Sequence, residues 1–280
     1  MSARRGPSVI KGFGWGLLVI ASLASVGCSG GPSPKQIKVH PARPAGSPVT
    51  TTSLPPVSEW ISTLSPEQIA ADQAIARASL INAEQLGADW TLYPDTSGPQ
   101  TTPPPVACDH FSSTIFNCAL DVLLAGVTFT APGKRSIQLF VTVYPAVAIA
   151  TEYFEEFVKP GFEPCLRAYI DATLVLEPFT STTEMLTSSL ANASGNLYVS
   201  YQTLSTITQS PALNNDQTPL ISLPPIAYDW NFIQVGRAIV EVDMSPDGSP
   251  PADPAGIIDR TVTLAVATAK MALEPTTQNP

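Results

Sequence analysis

The fold is decided by residues 228–244, which spell YDWNFIQVGRAIVEVDM. Aromatic and β-branched residues are frequent on both sides of its centre, and such residues are typical of strands. We predict strands over Tyr228–Val235 and Ala238–Met244. The two residues between them, Gly236-Arg237, suit a type II′ turn because glycine tolerates the positive φ of the first central position. The stretch therefore predicts an antiparallel hairpin.

Further elements are predicted on the N-terminal side of this hairpin and beyond it. Apolar residues alternate at Val127 and Phe129 and again over 137–143, on either side of a turn at Pro132-Gly133-Lys134. Another strand is predicted over 196–208. Helices are predicted from helical spacing and from capping residues such as Ser65 and Asn82. The predicted helices cover 66–79, 83–86, 108–124 and 146–158. One further helical turn is predicted around Cys165, and a last helix is predicted after the cap Asp253-Pro254.

The order of these elements implies an α+β domain, with an antiparallel sheet and helices packed on one face. Each predicted hairpin is followed by a helix. We therefore hold as a hypothesis that the domain consists of two similar halves.

Composition and charge exclude some classes of partner. The chain has 280 residues, a formal net charge of −9 and 13% charged residues. Nucleic-acid binding requires Lys and Arg to neutralise phosphates, so an acidic chain argues against it. The same charge argues against electrostatic docking on anionic lipids.

The N-terminus is predicted to be an export signal. Arg4, Arg5 and Lys11 form a basic region, and an uncharged apolar run over 12–24 follows, which is too short for a confident membrane span. Residues 25–28, SVGC, resemble a bacterial lipobox, in which the cysteine is lipidated and becomes the mature N-terminus. Residues 1–27 are thus a predicted signal peptide with Cys28 as the lipidation site. The alternative is an ordinary secretory signal in which this cysteine has no role.

The remainder of the chain divides into three predicted parts. Residues 28–57 are rich in Pro, Ser, Gly and Thr, a composition that does not fold by itself and is typical of a tether. A single domain is predicted over 58–275 and a disordered tail over 276–280. The predicted location is the extracytoplasmic face of the cell membrane, with attachment through acyl chains.

A family resemblance is carried by three segments. Residues 79–91, SLINAEQLGADWT, are similar to a recurring opening in actinobacterial, especially mycobacterial, cell-envelope lipoproteins. The strand over 138–144 with its following helix and FEPCL at 162–166 are similar too, and so is Val235-Gly236-Arg237 before a β-branched strand. Among described relatives the chain resembles the extracellular sensor-type domains of some mycobacterial serine/threonine kinases. The resemblance implies a non-enzymatic surface domain with a groove and disulfides.

Three cysteines follow Cys28, and an exported domain is expected to contain a disulfide. Pairing of Cys108 with Cys165 fits the resemblance, because both lie at the ends of elements. Pairing of Cys108 with Cys118 is the competitor, although ten residues on one helix separate the two by about 15 Å. Either pairing leaves one thiol over.

No catalytic or cofactor motif is present, so we expect neither enzymatic activity nor a cofactor. His110 is the one histidine of the predicted domain, and the nucleophile-elbow pattern of hydrolases is absent. Glu241 and Asp243 share one side of a predicted strand, which we expect to be the solvated side. A cation site at this pair is an alternative hypothesis.

Two functional hypotheses remain. The first is a sensor-like or ligand-binding domain for a lipid, glycan or peptide. Ten aromatic residues can line its groove, although core packing is the better default for them: Trp90, Tyr93, Phe111, Phe116, Phe129, Tyr198, Tyr201, Tyr228, Trp230 and Phe232. The second hypothesis is a structural or protein-interaction module that contacts another protein of the envelope.

Overall fold

The computed structural model shows an α+β domain built on one antiparallel sheet. It describes residues 60–93, 108, 123–132, 135–174, 179–193, 196–209, 222–245 and 256–274. Its helices and strands, in chain order, are α1 (Pro66–Ala78), α2 (Ala83–Leu86), β1 (Thr91–Leu92), β2 (Leu124–Ala131), β3 (Arg135–Val143), α3 (Val147–Phe157), α4 (Phe162–Leu174), β4 (Phe179–Ala193), β5 (Asn196–Gln209), β6 (Ile226–Val235), β7 (Ala238–Ser245) and α5 (Ile257–Leu273).

The predicted hairpins form the sheet, whose strand order is β1-β2-β3-β7-β6-β5-β4 with antiparallel pairing throughout. The turn between β6 and β7 places Gly236 at φ +56, as the turn prediction requires. Strands β6 and β7 lie in the middle of the sheet, and nearly all of their side chains are buried on both faces. The antiparallel α+β class predicted from the sequence is confirmed.

Helices cover both faces of the sheet, whereas the sequence predicted them on one. The face that carries Trp230 and Phe232, which we call the aromatic face, packs under α3 and α4. The face that carries Val240 and Val242, which we call the aliphatic face, packs under α1 and α5. The physical reason is that β6 and β7 are apolar on both sides, so each side needs a layer that removes it from water.

The two predicted halves share the order of their elements but not the position of their helices on the sheet. The hairpin β2–β3 is followed by α3 and α4 on the aromatic face, and the hairpin β6–β7 is followed by α5 on the aliphatic face. Because the helices fall on opposite faces, the two hairpin–helix units are not equivalent in the sheet.

The helix caps predicted at Ser65 and Asn82 are present. The side chain of Ser65 accepts a hydrogen bond from Gln68 N, and the Gln68 side chain accepts one from Ser65 N. Asn82 and Gln85 repeat this capping box at α2. Such reciprocal bonds satisfy donors that a helix start otherwise leaves unpaired.

Some predicted boundaries are wrong. Of the helix predicted over 108–124, residues 109–122 lie outside the described residues, and Leu124 belongs to β2. The last helix begins at Ile257, after Gly256, which is in the left-handed region at φ 61, and the predicted cap Asp253 lies outside the described residues. The single helical turn predicted around Cys165 is the 13-residue α4.

Strand β4 was not predicted. Its sequence, FTSTTEMLTSSLANA, has too few apolar residues to show a period of two, because it is an edge strand with one neighbour. Hydroxyl groups hold it in place. Thr183 bonds Ser205 on β5 across 2.8 Å, and Asp171 of α4 accepts from both Ser181 and Thr183.

Arg237 joins three elements at the β6–β7 turn. Its Nη1 donates to Asp72 Oδ1 on α1 at 2.7 Å and to the carbonyl oxygen of Tyr144, just after β3, at 2.8 Å. The Arg237 side chain is 27% exposed and that of Asp72 is 10% exposed. The half-buried guanidinium of Arg237 binds a carboxylate on α1 and a carbonyl at the end of β3. It thereby fixes α1 against the end of the sheet.

The packing of Phe140 on Gly126 gives a first prediction. The two residues are paired across β2 and β3, and a Cβ on Gly126 would lie 2.5 Å from the Phe140 ring. We expect Gly126→Ala to lower the free energy of unfolding by about 1–3 kcal/mol, as overpacking does. Urea denaturation measures this change.

The matched control removes the ring. In a Phe140→Ala background the added methyl group meets no aromatic carbon, so Gly126→Ala becomes neutral or stabilising. Equal destabilisation in the two backgrounds contradicts the proposed contact.

Candidate functional site

The disulfide joins Cys108 to Cys165. The two Cα atoms are 4.7 Å apart, and both residues are fully buried. The bridge attaches the chain at 108 to the first turn of α4, next to Leu123 and Phe162 in the core of the aromatic face. Cys28, His110 and Cys118 lie outside the described residues.

The most unusual group of side chains is a pair of carboxylates inside the domain. Glu241 is 8% exposed and Asp243 is 5% exposed. The expectation that they lie on the solvated side of the strand is therefore wrong. Their positions on β7, two residues apart, place both on the aromatic face, which α3 and α4 cover.

Apolar and amide side chains surround this pair within the sheet. In one row across the strands, Asp243 lies between Gln138 of β3 and Trp230 of β6. In the next row, Glu241 lies between Phe140 and Phe232. A low-dielectric environment of this kind disfavours a charged carboxylate.

Most carboxyl oxygens of the pair lack a hydrogen-bond donor in the described part of the chain. Three carboxyl oxygens, Glu241 Oε1 and both Oδ atoms of Asp243, accept no hydrogen bond from a protein donor there. The ion pairs Lys159–Glu156 and Arg237–Asp72 include neither Glu241 nor Asp243. The indole Nε1 of Trp230, next to Asp243, also has no partner.

Burial therefore controls the protonation of the two carboxyls. It raises the pKa of Glu241 from 4.5 to about 7. Burial, followed by the charge of Glu241, raises the pKa of Asp243 well above its usual value. The two side chains interact directly, and a proton shared between them supplies the donor that the surroundings lack.

Phenol groups complete the surroundings. Burial, with the charges of Glu241 and Asp243 as further causes, raises the pKa of Tyr169 on α4. Burial, then Tyr153 and Glu241, raises the pKa of Tyr144 at the end of β3. The phenols thus remain neutral over the range in which the carboxyl pair titrates.

The arrangement is suited to holding a proton and less suited to holding a metal ion. No group of three or more His, Cys, Asp or Glu residues that can ligate a metal occurs within the described ranges. Calcium and magnesium take six or more oxygen ligands, and of the described carboxyl groups only these two converge here. What the pair can do chemically is change its protonation inside the core.

The aromatic residues proposed to line a groove mostly pack in the core. Of the ten, Trp90 and Phe129 are buried on the aliphatic side, and Tyr201, Tyr228, Trp230 and Phe232 are buried on the aromatic side. Phe232 stacks on Phe157 of α3 at 4.2 Å between ring centroids. Phe111 and Phe116 lie outside the described residues.

Comparisons with known proteins give matches among solved structures. No protein family matches the chain, and no curated protein matches it. Among solved structures, the extracellular domain of the mycobacterial kinase PknH from Mycobacterium tuberculosis is similar with a TM-score of 0.39 and 9% identity, over 71% of this chain and 95% of that chain. None of the helices that the structure describes is both long and apolar enough to cross a bilayer.

The disulfide generates a prediction about stability. Replacing both Cys108 and Cys165 by Ala removes a cross-link between residues 57 apart in sequence. In the chain-entropy model we expect the free energy of unfolding to fall by about 4 kcal/mol. Denaturation in urea measures it, and reduction of the wild-type protein is the matched control. Equal stability of the oxidised wild type and the double variant would refute the prediction.

The carboxyl pair generates a prediction about pH. The folded-state pKa of Glu241 is above its unfolded value, so the pair stabilises the fold fully at low pH and this contribution is lost as pH rises. For Glu241 alone we expect the free energy of unfolding to fall by roughly 3 kcal/mol between about pH 4.5 and 7, and the raised pKa of Asp243 adds to this fall. Chemical denaturation over this pH range measures it.

Two variants make this test specific. Glu241→Gln combined with Asp243→Asn removes both titrating groups, so the curve flattens over this range. Glu184→Gln, on the exposed side of β4, keeps the wild-type slope. A wild-type curve that is flat, or that rises with pH, shows that the pair is ionised in the fold.

Proposed function

We propose that this chain is a membrane-anchored cell-envelope lipoprotein with a sensor-like or ligand-binding domain on the extracytoplasmic side, and that it is not an enzyme. The observation that supports the extracytoplasmic location is the buried Cys108–Cys165 disulfide. Structural disulfides persist in oxidising compartments and are rare in the cytosol. The lipobox-like residues 25–28 supply the means of attachment.

The anchor in this proposal is acylated Cys28, followed by the tether of residues 28–57. A flexible chain of this length spans roughly 30 Å on average, and its prolines extend it further. The domain is thereby held close to the bilayer surface. Two or more acyl chains make such attachment stable, whereas one gives marginal binding.

The sensor-like role is supported by the carboxyl pair. Glu241 and Asp243 lie in the middle strand of the sheet, and their protonation changes the stability of the layer under α3 and α4. A buried group that titrates near neutral pH gives a domain two protonation states of similar free energy at that pH. A lipid, glycan or peptide ligand that favours one of these states shifts the balance between them.

A second candidate function is a protein-interaction module. One support is that aromatic side chains fill the core instead of lining a groove. Another is the edge strand β4, which has 15 residues and one charged residue, Glu184. An edge strand of this length can pair with a strand of another protein. In this alternative the partner is an envelope protein and no small molecule binds.

The anchoring prediction concerns Cys28. We expect the N-terminal peptide of the membrane-purified protein to begin at Cys28 and to carry the mass of acyl chains. Cys28→Ser is expected to move the protein from the membrane to the soluble fraction, while the matched variant Cys118→Ser remains at the membrane. Mass spectrometry and fractionation measure both. An unmodified Cys28 in a protein recovered from the medium would contradict the proposal.

The same purification separates the two candidate functions. A small molecule that co-purifies in stoichiometric amount with the wild-type protein supports the ligand-binding domain. A stoichiometric protein partner, without a small molecule, supports the interaction module.

A further inference from the structure

Exposed apolar side chains collect at one end of the sheet. We define the turn end as the end that carries the β6–β7 turn, Gly236-Arg237. Among the described residues, the exposed large apolar side chains are Leu92, Val147, Leu186, Leu190, Leu197 and Met271. Strand pairing and contacts place Val147, Leu190, Leu197 and Met271 at the turn end, as the following observations show.

Leu197 belongs to the last complete row of the sheet at the turn end. This row runs through Asn192, Leu197, Gln234, Ile239, Thr142 and Leu124. Leu190 lies two residues before Asn192 on β4 and is paired with Val199. Leu190 and Leu197 are therefore on the aromatic face, and they are 65% and 39% exposed.

Val147 approaches the same end from the helix layer. Gln234, next to Leu197 in the row, donates to Thr151 Oγ1 of α3 at 2.8 Å. Val147 lies one helical turn before Thr151, at the start of α3, and is 55% exposed.

Met271 reaches the turn end on the aliphatic face. It lies near the C-terminus of α5, where Leu273 Cδ1 is 3.7 Å from the Cβ position of Gly236. Met271 is 65% exposed. The turn end thus presents apolar side chains on both sides of the sheet.

The chain also enters the described domain at the turn end. Trp60, the first described residue, packs on Tyr144 and Tyr153 with ring centroids 6.1 and 6.2 Å away. Tyr144 follows β3 directly and donates its N–H to the carbonyl of Arg237. A tether that begins at Cys28 therefore arrives at the end of the sheet where the exposed apolar residues lie.

We propose that the turn end seats on the bilayer surface to which Cys28 attaches the chain, with Val147, Leu190, Leu197 and Met271 in contact with lipid. This inference rests on the proposed lipid anchor. The lipid anchor keeps the turn end at a high effective concentration next to the bilayer. A few apolar contacts therefore suffice to dock it there. The contact is apolar because the acidic chain is repelled by anionic lipids.

Docking in this orientation fixes which part of the domain faces outward. Leu92 of β1 pairs with Phe129, which lies opposite Ile137 at the other end of β3. The distance along β3 from Ile137 to Thr142, which lies in the last row, is about 17 Å. The end that carries Leu92 is thus directed away from the membrane.

The test uses the acylated chain on phosphatidylcholine vesicles whose acyl chains carry bromine, which quenches tryptophan fluorescence on contact. Leu197→Trp places a reporter at the turn end. Leu92→Trp is the matched control, since Leu92 is 62% exposed at the opposite end. We expect the added fluorescence of Leu197→Trp to be quenched several-fold more than that of Leu92→Trp, with no dependence on salt.

The outcomes separate the anchor from the docking. A chain that floats with the vesicles but shows equal quenching at the two positions overturns the docking and leaves the anchor intact. Dimer formation together with an unquenched Leu197→Trp assigns the surface to a second copy and also overturns the docking. A chain that does not float overturns the anchor and the docking together. Both variants are checked for a wild-type unfolding midpoint.

Discussion

The burial of β6 and β7 on both faces is the constraint on which the rest of the structure depends. Strands in the middle of the sheet with apolar side chains on both sides need two covering layers, and the chain supplies α3 and α4 on one side and α1 and α5 on the other. Nearly every polar side chain on these strands is thereby enclosed. Its hydrogen bonds must then be made inside the protein.

Asn231 meets this requirement, and the contrast shows why the carboxyl pair is unusual. Asn231 of β6 donates to the carbonyl of Val242 and accepts from the Tyr198 hydroxyl. Glu241 Oε1 and both Oδ atoms of Asp243 have no such donor in the described part of the chain. Burying one unpaired charge costs several kcal/mol, and burying two in contact costs more. The fold lowers this cost by retaining a proton, which couples its stability to pH.

The sheet was predictable from local signals, and the layers were not. The hairpin at Gly236-Arg237 and the capping box at Ser65 follow from side-chain chemistry within a few residues. Strand β4 was not predictable, because it is rich in hydroxyl groups and shows no apolar alternation. The partners that hold these hydroxyl groups lie on β5 and α4, outside the local sequence of β4. The second covering layer follows only from the strand order, which puts β7 between β3 and β6.

The candidate site shows the same division. Glu241 and Asp243 were identifiable as neighbours on one side of a strand, but alternation along an antiparallel strand usually means that charged residues face water. The side that they occupy is decided by α3 and α4, which come from a distant part of the chain. The apolar residues on both sides of β6, such as Phe232 and Ile233, were the one available sign that neither face of this hairpin is solvated.

The central claim is that the interior of the domain holds a carboxyl group protonated at neutral pH. Its most direct test is the ¹³C chemical shift of the side-chain carboxyls of Glu241 and Asp243, recorded against pH in the intact protein. The account predicts that one carboxyl of the pair is still protonated at pH 7 and that the two titrate as a coupled pair. Two independent titrations near pH 4, the range of exposed carboxyls, would contradict it.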